Sequence, residues 1–200
     1  MDKVDLWASI VGCWPPNGRC IVNWEAWAAV WTALGVLTAL FAPVARRLAV
    51  RRRADAMFAL AYVHHLQSAS VAADRLAREY PLGSDTGLGK QLKATFPPDA
   101  ETKQLLASCG QDIEALAKQV VNLAQWPPEV SIKLAHRIAT SIVAAKRLVQ
   151  GLEAIADTHR PLGPNAMEMF AGAFWEDLQN AVRELDDGSW AATDAATMQR

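Results

Sequence analysis

Ser84 to Gln91 reads SDTGLGKQ, and Gly89 followed by Lys90 gives it the outline of a loop that cradles phosphate with backbone N–H groups and a lysine. The details fail. Ser84 stands where such a loop opens on glycine, Gln91 replaces the magnesium-binding Ser or Thr, and no strand pattern precedes it, so a plain loop is expected. His64 and His65 are adjacent, which on a helix turns them about 100° apart and keeps them from clasping one metal. His136 and His159 have no cysteine or carboxylate at ligand spacing. Glu176, Asp177, Glu184, Asp186 and Asp187 cluster, but acids near a helix end on a solvated face are solubilising groups. These residues supply no catalytic set, no metal site and no cofactor site, and the chain reads as a non-enzyme.

Redox chemistry is the remaining option. Cys13 and Cys20 bracket CWPPNGRC, where Pro15, Pro16, Asn17 and Gly18 turn the chain back and bring the thiols close. In an oxidising compartment they would form a disulfide that pins a local hairpin. Two free thiols are the alternative; metal binding fits poorly, because zinc sites use tighter spacing and four ligands. Cys109 lies in an apolar helical stripe and reads as a small core residue.

What must position these groups is dominated by one element. Ala26 to Ala45 reads AWAAVWTALGVLTALFAPVA, 20 residues without a charge, a length that as a helix matches the roughly 30 Å hydrocarbon layer of a bilayer. Three Leu, three Val and one Phe drive insertion, contributing roughly −2 to −4 kcal/mol before Thr32, Gly35, Thr38 and Pro43 subtract. Trp24, Trp27 and Trp31 stand at the N-terminal end, where amphipathic rings favour the headgroup level. Arg46, Arg47, Arg51, Arg52 and Arg53 follow the run, against Lys3 and Arg19 before it. The positive-inside bias therefore predicts an anchor in a bacterial inner membrane with the N-terminus outside and the C-terminus in the cytoplasm. The same arginines are placed to contact anionic lipid. The alternative is a soluble all-α protein with this apolar helix buried in its core.

Behind the arginines, the spacing predicts four helical stretches and no strand. Val44 to Tyr80 lacks proline and glycine, so the membrane helix is expected to continue, with Met57, Leu60, Ala61, His64, Val71 and Leu76 as its apolar face. Pro81 to Pro98 reads as a long loop. A second helix is expected from Asp99 to Trp126, its stripe formed by Leu105, Leu106, Cys109, Ile113, Leu116, Val120 and Leu123. Pro127 and Pro128 are expected to stop that helix and start an antiparallel third, with Leu134, Ile138, Ile142, Ala145, Leu148 or Val149, Leu152 and Ile155 on its inner face. A fourth, capped by Asn165 and Glu168, carries Met167, Phe170, Phe174, Leu178, Val182 and Leu185. The organisation is thus an exported tail over 1–23, a transmembrane helix over 24–45, a cytoplasmic antiparallel bundle over 46–185 with a loop at 81–98, and a disordered tail over 186–200.

Charge excludes one large function class. From Arg46 to Arg200 there are 18 basic and 18 acidic residues, with no basic stripe beyond the arginine cluster, so nucleic acid is not an expected partner. Ala28, Thr32, Gly35, Ala39 and Ala42 repeat at intervals of four and three within the apolar run, a stripe that lets membrane helices approach closely. Alanine makes up 37 of the 200 residues, so composition alone also yields such stripes. The expected function is a membrane-anchored interaction or regulatory module: the span sits in the lipid bilayer, homo-oligomerises through its stripe, and the bundle binds a protein partner. A small membrane effector of toxin-like or defence type, assembling through its span, is the second reading.

Overall fold

The computed structural model describes residues 24–119 and 126–197, and among these every regular element is a helix. They run α1 (Trp24–Glu79), α2 (Gly87–Ala94), α3 (Ala100–Ala117), α4 (Ile132–Asp157) and α5 (Pro164–Thr197). The chain divides into two compact units, Met1–Ala49 and Val50–Arg200. The described part of the first is helical throughout and takes in the apolar run.

The second unit holds the core. α4 packs on both α3 and α5, and the Val50–Glu79 portion of α1 joins them through Ala59, Leu66, Ala69, Ala73 and Leu76, all fully buried. The inner stripes of α4 and α5 lie where their period of 3.6 puts them, with Ile138, Ile142, Leu148, Ile155, Leu178 and Leu185 all at 0% exposure. Much of this face is alanine, so the helices approach closely. At Gly188 an added Cβ would lie 2.1 Å from Ser141 Oγ and 3.4 Å from Leu66 Cδ2, which leaves room there for glycine alone. Ser141 is buried with its hydroxyl 2.6 Å from the Glu184 carbonyl, so its polarity is satisfied across the α4–α5 contact.

Several sequence expectations are corrected. The inner face of α1 is not the one expected: Met57, Leu60 and Val71 are 68%, 53% and 68% exposed, while Leu76 is buried beside the alanines. Alanine is too weakly hydrophobic to mark a face when Met, Leu and Val stand opposite, and packing decided in its favour. The 81–98 loop contains α2, capped by Thr86, whose hydroxyl accepts from Gly89 N. α3 is capped by Asp99 and ends at Ala117; Val120 and Leu123 lie outside the described residues. Ser131 caps α4, so the helix begins after the two prolines and not at them. α5 starts at Pro164, which puts Asn165 inside the first turn, and Glu168 pairs with Lys93 at 3.0 Å in place of closing a cap. The expected tail from 186 is instead helix through Thr197, because Gly188 and Ala192 are buried and give the last turns something to pack on.

Candidate membrane span and bundle sites

The apolar run forms the N-terminal part of α1, and every described residue from Trp31 to Ala49 is exposed. Trp31, Leu40 and Phe41 are 66%, 63% and 64% accessible. Among the described residues one helix is long and apolar enough to cross a membrane; its best window has mean hydropathy 1.8 and is 0% buried. The polar side chains of the run are satisfied internally. Thr32 Oγ1 donates to the Ala28 carbonyl at 2.7 Å and Thr38 Oγ1 to the Leu34 carbonyl at 2.7 Å, the arrangement that hydrocarbon surroundings require.

Ala28, Thr32, Gly35, Ala39 and Ala42 are all exposed, and a Cβ built on Gly35 would meet none of the described residues within 4 Å. Arg46, Arg47, Arg51, Arg52 and Arg53 are exposed as well. Cys13 and Cys20 lie outside the described residues.

The phosphate-loop outline is spent on the fold. Ser84 Oγ donates to the Pro81 carbonyl at 2.9 Å and lies 2.7 Å from Thr86 Oγ1, and Gly89 N donates to Thr86 Oγ1 at 3.1 Å. The backbone N–H that would meet a phosphate is already bonded. Gly89 is needed because a Cβ there would sit 2.4 Å from Ser84 Oγ and 2.5 Å from the Ser84 carbonyl oxygen. The His64 and His65 rings are 5.9 Å apart on successive positions of α1. Among the described residues no group of three His, Cys, Asp or Glu could hold a metal. Cys109 is buried, and burial pushes its thiol pKa up, which leaves it protonated. Glu176, Asp186 and Asp187 are exposed on α5, and Asp177 and Glu184 half-buried.

Among the surface concavities of the bundle, three lie where helices α3, α4, α5 and α1 meet. One, of about 440 Å³, runs between α3 and α4 past Leu106, Gly110, Val149 and Leu152. Another, of about 370 Å³, lies between α4 and α5 beside Arg147, Asp177 and Glu184. The third holds about 260 Å³ and is lined by Arg52, Asp55, Lys133, Arg137, Trp190 and Asp194 among others. Its residues come from α1, α4 and α5, so their spacing in sequence carries no signal that they meet. Compared with known families, characterised proteins and solved structures, the chain finds no match.

Proposed function

We propose that this chain is a single-span anchor for a cytoplasmic helical module that binds a protein partner in an interaction or regulatory role, seated in a bacterial inner membrane with its N-terminus outside. The observation that carries the reading is the contrast between a 0% buried apolar window and a bundle that closes its own core without it. A run of Leu, Val, Phe and Trp left in water costs free energy in proportion to its area, and a bilayer is the surrounding that removes this cost. The five arginines behind the run support the orientation, since basic residues are retained on the cytoplasmic side. The test is alkaline extraction of membranes together with reporter fusions at both ends. The chain should stay in the pellet, with a cytoplasm-dependent reporter active at the C-terminus and silent at the N-terminus. Release into the supernatant, or the reversed reporter pattern, overturns the reading.

The open surround of Gly35 favours a second reading, in which spans assemble in the bilayer as in a membrane effector. Among the described residues no contact requires a glycine there, whereas close approach by a helix from another copy would. Gly35→Leu should lower self-association in a membrane assay and Leu37→Ala should matter less; equal signals for wild type and Gly35→Leu return the stripe to composition. Dye leakage and growth arrest on expression would mark the effector.

A further inference from the structure

The 260 Å³ concavity at the junction of α1, α4 and α5 brings three cations together. Arg52 comes from α1, and Lys133 and Arg137 stand one turn apart on α4. Among the described residues none of the ion pairs involves any of them; those found are Arg75–Glu79, Arg78–Asp74, Lys93–Glu168 and Lys118–Glu114. Two carboxylates share the lining. Asp55 is already committed, its Oδ1 accepting from Ser131 N at 2.6 Å at the start of α4. Asp194, on α5, is the second, and since a carboxylate that accepts a hydrogen bond keeps its charge, three cations face two acids in this lining. Beside them Trp190 is 67% exposed, a large amphipathic ring that the bundle itself does not bury.

Arg52 also follows the apolar run by seven residues, which reach at most roughly 25 Å even when fully extended. Cations in none of the ion pairs among the described residues, an exposed indole and a short tether to the span are the features that match a membrane surface: guanidinium and ammonium groups bind phosphate, and Trp settles at the headgroup level. We propose that this concavity binds the phosphate-bearing headgroup of an anionic phospholipid, with Arg52, Lys133 and Arg137 on the phosphate and Trp190 against the glycerol and upper acyl region. The occupant is a lipid and not free phosphate because Trp190 offers apolar surface that an inorganic anion would not use. The inference rests on the membrane-anchored reading above.

The test uses the full chain in neutral detergent, titrated with phosphatidylglycerol, phosphatidylcholine or inorganic phosphate, with bound lipid read by native mass spectrometry at low salt. Wild type should retain phosphatidylglycerol in preference to phosphatidylcholine. Lys133→Gln with Arg137→Gln should weaken that retention about 30-fold, at the usual worth of a basic residue near an anionic surface. Asp194→Asn should strengthen it about 5-fold by removing an opposing charge. It is the safeguard if the double variant fails to fold, because it leaves the cations in place. Equal retention of the two lipids, an unchanged double variant, no gain in Asp194→Asn, or displacement of the lipid by equimolar inorganic phosphate would each overturn the proposal. Alkaline extraction separates the two levels: a chain released by carbonate that still prefers phosphatidylglycerol loses its span and keeps its headgroup site.

Discussion

Two stretches of α1 are built from much the same residues and meet opposite fates. In the N-terminal stretch, alanines 28, 39 and 42 and Gly35 are open to the surroundings; beyond Val50, alanines 56, 59, 69 and 73 are fully buried. In the buried stretch the small residues serve close approach, and what differs is whether helices of the same chain cover them. In the bundle α5 does so, through Gly188 against Leu66 and Phe174 against Tyr80, whose rings meet edge on at 6.3 Å. Buried Tyr80 shows the consequence of that closure: burial pushes its phenol pKa far above the ordinary value, with the charge of Asp99 adding to it. Bulk and hydropathy therefore do not say which face of a helix is covered. The exposed Met57, Leu60 and Val71 opposite the buried alanines make the point within one element.

The comparison can be broken most forcefully in the core. Ile138→Asp puts an unpaired carboxylate at a position of 0% exposure and should cost more than about 3 kcal/mol, abolishing the cooperative thermal transition of the bundle. Leu37→Asp, on the exposed stretch, should leave that transition in place and instead impair membrane retention. If Ile138→Asp melts like wild type, the core face is misassigned.

A single substitution made in both regions sharpens the contrast further. Gly188→Ala drives a methyl to within 2.1 Å of Ser141 Oγ, and overpacking of this kind should lower bundle stability by about 1–3 kcal/mol in denaturant titration. Gly35→Ala meets none of the described residues within 4 Å and should leave the same titration unchanged. Equal effects would remove the distinction between a face covered by its own chain and one left open.

Caps give a smaller effect, confined to the bundle. Ser131→Ala removes the acceptor for Leu134 N while Asp55 still holds the Ser131 backbone N–H, so the loss should be about 1 kcal/mol in the same assay. A loss several times larger would mean that the residue has a role beyond capping.

The smallest expected effect depends on pH. The Thr102 backbone N–H, donating at 2.8 Å, holds the Asp99 carboxyl below its ordinary pKa. A carboxylate whose folded value is depressed stabilises the fold above its unfolded pKa and loses that contribution as the pH falls through the folded value. Denaturant midpoints taken from roughly pH 6 down to pH 3 should therefore fall less steeply in Asp99→Asn than in wild type. Identical slopes would show that the cap carries no proton linkage.

Much of this architecture was legible in the chain, and for local reasons. The helical class, the continuation of the apolar run into α1, and the inner faces of α4 and α5 all follow from a period of 3.6 written in Leu, Ile and Phe. Cys109 as a core residue follows from the same period. The failures occur where a local signal competes with contacts that sequence does not display. Pro81 to Pro98 looks like a plain loop until Thr86 is seen to cap α2 within it. AATDAAT looks like a frayed tail until Ala192 is found buried.

The long apolar helix, the arginines behind it and the registers of the strongly hydrophobic stripes are written locally, because insertion cost and helical period depend on residues close together in the chain. Packing across the bundle settles which face of α1 is covered, that α5 runs to Thr197, and that Arg52, Lys133, Arg137 and Trp190 meet at one concavity. Those outcomes depend on which surfaces come together across intervals of 50 residues and more, and burial energy is settled there by shape fit between helices and not by the character of any one residue.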